Sequence, residues 1–157
     1  MDGFTELISQ LPIAALMRKS DWAYPLISTV HILAIGLIIG SVVVLDLRLL
    51  GSWRHLPLGE IAPVLSRTAA AGVGLALISG FLLFSVQAGN YLANPAFQIK
   101  LGMVTLALLN IACIHLHPDW RGIKTRHTLS LTIRFCAVFS LLLWVLTVAA
   151  GRWIAFV

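Results

Sequence analysis

Four long apolar runs separated by three short polar stretches dominate the 157-residue chain. The runs cover about 21–46, 64–86, 95–116 and 129–153. A helix needs ~20 largely apolar residues to cross a bilayer, and each run meets that length. The purest is 23–45, which holds no formal charge. Ahead of it, residues 4–17 carry Leu7, Ile8, Leu11 and Ala15 at helical spacing, and Pro12 interrupts them. That segment is too short to span and is expected to lie at the interface as an amphipathic helix. The fold expected is all-α: one domain, an integral membrane four-helix bundle with a short N-terminal interfacial helix over 4–17.

Local signals sharpen the ends. Ser20 or Asp21 can cap the first span, Pro25 suits a first turn or kinks it, and Trp22 and Tyr24 suit the headgroup belt. Asn94-Pro95 reads as a cap with proline at the first helical position. Gly36 and Gly40 make a small-xxx-small pair that lets another backbone approach. In the second span, Ala69, Gly72, Ala76, Ser79 and Gly80 form a small face. It serves close packing or leaves room for a flat macrocycle, and the sequence alone does not separate the two.

Composition agrees with the bilayer. The chain is 59% hydrophobic and 11% charged, with a mean hydropathy of +0.96, against ~45–50% apolar and ~25% charged in soluble domains. The pI near 9.9 reflects loops beside apolar spans rather than a nucleic-acid surface. Four spans put loops one and three on one side with Arg48, Arg54, Arg67, Arg121, Lys124, Arg126 and Arg134, and leave Arg18, Lys19, Lys100 and Arg152 on the other. This bias predicts cytoplasmic loops at 52–62 and 118–128, with both termini outside, in a membrane of the bacterial inner type. Cys113 and Cys136 lie in apolar runs and read as packing residues. The start of the chain has no basic stretch of the signal-peptide kind.

One ionisable side chain, His31, falls near the middle of the purest span, and such a group is by default a functional candidate. It ligates a buried metal or haem, or it bonds a neighbouring helix. Counting ~1.5 Å per residue from assumed helix starts puts His31 ~15 Å below Asp21, Lys100 ~9 Å and Met103 ~13 Å below Asn94, and His115 ~31 Å below Asn94. On that arithmetic His31 is level with Met103, with Lys100 one turn nearer the surface, and far from His115. A histidine–thioether pair can hold a haem iron, and Lys100 can pair with a propionate. The plainer readings are a filler methionine and a snorkelling lysine. A weaker metal cluster is His115 and His117 with His55 and His127, since imidazole suits several transition metals. No phosphate loop, nucleophile elbow or metalloprotease motif is present. The acids all read as near-surface, whereas a proton pump would be expected to carry one mid-span.

Thr29-Val30-His31-Ile32-Leu33-Ala34 followed by Asp46-Leu47-Arg48-Leu49-Leu50 resembles the first helix of the HemJ-type protoporphyrinogen oxidases. Phe97-Gln98-Ile99-Lys100-Leu101-Gly102-Met103-Val104 is similar to the lysine-bearing start of their third helix, and His115 sits where that helix has a later histidine. Ile78-Ser79-Gly80-Phe81-Leu82-Leu83-Phe84 resembles a glycine motif shared with the CopD-type copper-resistance proteins. The resemblance covers the first three spans and implies haem b ligated through His31, with Lys100 in the active region. The function expected is a b-type haem protein in electron transfer, or the membrane subunit of an oxidoreductase, with a partner protein or quinone and possible assembly into an oligomer or complex. The alternatives are a copper-handling protein and a non-redox scaffold subunit.

Overall fold

The computed structural model describes residues 2–123 and 129–154, and among these there is no strand. Eight helices follow in order: α1 Asp2–Ser9, α2 Pro12–Lys19, α3 Ala23–Leu50, α4 Leu58–Val86, α5 Ala88–Ala93, α6 Pro95–Leu116, α7 Pro118–Arg121 and α8 Leu131–Trp153. Four of them, α3, α4, α6 and α8, are long and apolar enough to cross a membrane. The chain is therefore an all-α, four-helix membrane bundle. The end carrying the α3–α4 and α6–α8 connections is called the basic end here, and the other is the termini end.

The expected interfacial helix is two helices. Pro12 has no N–H to donate and opens α2 at its first position. Ile8, Ala14 and Met17 are buried while Leu7, Ile13 and Leu16 are exposed, so one side docks on the bundle and the other meets lipid. Arg18 fastens the pair, donating to the carbonyls of Ser9 (2.6 Å) and Val86 (3.3 Å).

Helix α3 absorbs Pro25 within its first turn and continues to Leu50. It stops because Gly51 takes a left-handed φ of 111° and returns its N–H to the last turn. Helix α4 starts six residues earlier than the pattern predicts, with Pro63 inside it. The donor missing at Pro63 would have met the carbonyl of Gly59, and both residues line an open basic-end cavity. The second connection is not a loop but α5. Asn94 then caps α6, accepting from the N–H groups of Ala96 (2.9 Å) and Phe97 (3.3 Å). In the third connection α7 makes one turn, and buried Asp119 accepts from the Ser130 N–H at 2.8 Å. His127 lies outside the described residues.

Helix α3 packs most extensively on α4 and next on α8, while α6 packs on α8 and makes no comparable backbone contact with α3 or α4. Gly72 explains the tight seam. A Cβ there would come within 2.9 Å of Ile38 Cγ1 and 3.1 Å of the Ala34 carbonyl, so the small face of α4 is a packing face. Gly36 and Gly40 behave otherwise: among the described residues nothing lies within 4 Å of a Cβ built on either, and the pair joins no helices there. Two apolar clusters fill the bundle. Leu45, Leu49, Ala62, Ile114, Ile133 and Ala137 form the one toward the basic end. Ile38, Val42, Ala69, Ala107, Leu143 and Trp144 form the other at mid-height.

Candidate functional site

His31 is half-buried on the α4-facing side of α3. Its ring lies over Gly80, where a Cβ would stand 3.0 Å from the ring carbon Cε1. Nδ1 lies 2.9 Å from Ser79 Oγ. That hydroxyl has one proton, and it is directed to the Leu75 carbonyl at 2.6 Å. With that proton on Leu75, Ser79 Oγ accepts from Nδ1–H and the ring's lone pair is on Nε2; the ring also has a hydrogen bond with the Ala76 backbone. Metal-ligating histidines are commonly oriented in this way, with the remote ring nitrogen held by a second-shell acceptor.

Lys100 lies along α8, where a Cβ on Gly151 would be 3.5 Å from both Cε and Nζ. Its charge acts on the His31 ring, and it has no hydrogen bond or ion pair among the described residues. Lys100 is half-buried on α6, and half-buried Met103 follows it by about one turn of the same helix.

On the termini-end side of His31 the space between α4 and α6 is closed by rings. Phe84 and Phe97 stack at 5.6 Å, and Tyr91 of α5 stands 5.3 Å from Phe97. The Tyr91 phenol is pushed up to about 12, first by burial and then by its hydrogen bond with Tyr24, so it is neutral near pH 7. This cap ties α3, α4, α5 and α6 together at the termini end.

The residues of the second, basic-end cluster have separate engagements. His115 Nδ1 bonds the Ile111 carbonyl at 2.8 Å, its ring lies 4.5 Å from Trp120, and it borders a cavity of about 510 Å³ between α4 and α7. His117 caps α7, accepting from the Asp119 N–H at 3.2 Å. His55 is exposed on the α3–α4 connection. No group of three or more His, Cys, Asp or Glu side chains able to hold a metal ion occurs among the described residues.

The model of a family of unknown function, DUF6644, matches residues 23–157. The chain belongs to DUF6644. The match takes in all four spans and leaves out α1 and α2. No curated protein and no solved structure matches the chain.

The DUF6644 chain also holds an acid inside the bundle. Asp46, expected near the surface, is 3% exposed and is bonded by Ser140 of α8. Its Oδ2 has no partner among the described residues. The sequence hid it because Arg48 and Gly51 follow closely and read as the exit from the span. Its spacing from Val42 and Leu49, four and three residues, is the signal that it shares their buried face.

Proposed function

We propose that this DUF6644 protein is a membrane b-type haem protein that passes electrons within the bilayer, alone or as the membrane subunit of an oxidoreductase. The observation that carries this reading is His31 itself, an imidazole inside the bundle whose Nδ1 is held 2.9 Å from Ser79 Oγ, with the ring's lone pair on Nε2 in the tautomer in which Ser79 donates to Leu75. A bare metal ion needs three or four protein ligands, and the described residues offer no such group. A haem brings its own four nitrogens and needs one or two axial ligands, which favours it over the copper-handling alternative. The resemblance to the HemJ-type helices points the same way.

In this reading His31 would hold the iron and Ser79 would position its ring. Lys100 would place a positive charge near that ring and offset a carboxylate of the group. The Phe84, Tyr91 and Phe97 rings exclude water from the termini end. The group, when bound, supplies reversible one-electron chemistry that these side chains lack. Loops 52–62 and 118–128 face the cytoplasm in this proposal, following the basic bias.

The test is the visible spectrum of detergent-purified protein from haem-replete cells, oxidised and then reduced with dithionite. The expected result is a Soret band that moves on reduction, with sharpened bands at longer wavelength. A protein without visible absorption overturns the reading.

A further inference from the structure

The smaller basic-end cavity, of about 510 Å³, is walled by α4, by His115 of α6 and by α7. Ser66, Arg67, Trp120 and Arg121 border it, and none of its lining residues is acidic. The Ser66 hydroxyl is buried and has no hydrogen-bond partner among the described residues. Neither the Arg67 nor the Arg121 guanidinium makes a hydrogen bond or ion pair among the described residues. A buried hydroxyl without a partner is costly in a membrane helix. A guanidinium is a fork of donors with no acceptor of its own, and that fork matches the oxygens of a phosphate. A cavity lined by donors and two positive charges selects an anion.

The larger basic-end cavity differs in both respects. Its Arg48 donates to the Leu56 carbonyl at 2.7 and 3.1 Å and to the Arg54 carbonyl at 3.4 Å. Its Arg54 donates to the Gly51 carbonyl at 3.2 Å. Glu60 also borders it and supplies a negative charge. Its arginines hold the α3–α4 connection in shape, whereas those of the smaller cavity hold nothing in the chain.

The smaller cavity leads into an apolar groove. Ser66, Arg67 and Ala70 place it on one face of α4, and Gly74, Leu77 and Phe81 continue that face at helical spacing. Leu77 is 56% and Phe81 49% exposed. Among the described residues nothing lies within 4 Å of a Cβ built on Gly74. Helix α6 packs on α8 and leaves this face of α4 uncovered, until the Phe84–Phe97 stack closes the space at the termini end. Leu77 follows Arg67 by ten residues, a rise of roughly 15 Å. That is the depth of one leaflet in a hydrocarbon core ~30 Å thick.

We propose that this cleft binds one anionic phospholipid of the surrounding bilayer, with its phosphate at Arg67, Arg121 and the Ser66 hydroxyl and an acyl chain along Ala70, Gly74 and Leu77. The cavity supplies donors for the head and the groove supplies a leaflet's depth for the tail. A free phosphate would use only the first. A zwitterionic headgroup would bring its ammonium to two guanidiniums with no carboxylate in the lining. Trp120 stands where an amphipathic ring belongs, at headgroup depth. Basic pockets between membrane helices are general sites for anionic headgroups. The bound lipid fills the space that α6 leaves beside α4.

The experiment mixes the full chain in neutral detergent with equal amounts of dioleoylphosphatidylglycerol and dioleoylphosphatidylcholine, and counts bound lipid by native mass spectrometry. Wild type should retain one phosphatidylglycerol, preferred about tenfold over phosphatidylcholine. Arg67→Gln with Arg121→Gln should abolish that preference, and Ser66→Ala should weaken retention severalfold. Gly74→Leu fills the groove and leaves the arginines in place, and it should lower retention as well. Arg54→Gln, which removes a basic-end charge outside the cavity, should bind like wild type. Equal retention of the two lipids by wild type overturns the proposal, and so does an undiminished preference in the double variant. Should the double variant fail to fold, undiminished retention in both Ser66→Ala and Gly74→Leu overturns it. Inorganic phosphate in millimolar excess should leave the lipid bound; displacement would mark a free-phosphate site and overturn the choice of a lipid. Bound lipid is counted without any haem signal, so this result and the haem reading fail separately.

Discussion

The α3–α4 seam and the α4–α6 space are built by opposite means. On the seam, Gly72 brings two backbones together until a single methyl would collide with Ile38. Across the other space, α6 takes its support from α8 and stands off α4. There the chain closes the termini end with stacked Phe84 and Phe97 and leaves a cavity at the basic end. Tight helix contact in a membrane comes from small residues that permit close van der Waals packing. Where such contact is absent, large rings and polar side chains have room to be useful, and the atoms left without protein partners lie along the bundle interior rather than on its surface.

The comparison is most sharply broken at Gly72. Gly72→Leu should push α3 off α4 and destabilise the bundle by about 1–3 kcal/mol, the usual range for overpacking, seen as a lower thermal midpoint in detergent. Gly36→Leu, which meets open space, should leave the midpoint unchanged. An equal loss from both substitutions would mean that the two glycine positions do not differ as described.

Next in size is the anchor under the histidine. Ser79→Ala keeps the small face and removes the hydroxyl that Nδ1 meets at 2.9 Å. Loss of a second-shell partner typically costs 10–100-fold in metal affinity. Haem retention on dilution should weaken by that order while the thermal midpoint stays close to wild type. Unchanged retention would separate Ser79 from ligation.

The smallest effect is expected at the mouth of the space. Asn94→Ala removes the cap on α6 and should cost about 1 kcal/mol, read as a modest drop in the midpoint. A null result there would show that neighbouring contacts, not the cap, fix where α6 begins.

The spans were legible because apolar composition over ~20 residues admits few other structures. Asn94 was legible because a capping side chain before proline is a local signal. Two features were not. Pro63 reads as a boundary, whereas α4 begins at Leu58 and carries that proline in an early turn beside an open cavity. Asp46 was read as an exit residue because its neighbours are those of an exit, and only the helix continuing to Leu50 reveals its buried face. Register between helices is a tertiary property, and no single span carries it.

The central claim is that His31, not the basic-end histidines, holds the redox group. The most direct measurement is haem per protein, by pyridine haemochromogen, in wild type, His31→Ala and His115→Ala purified identically. The account predicts loss of haem in His31→Ala with intact membrane insertion, and wild-type content in His115→Ala. Haem kept by His31→Ala and lost from His115→Ala would contradict it and move the site to the basic end.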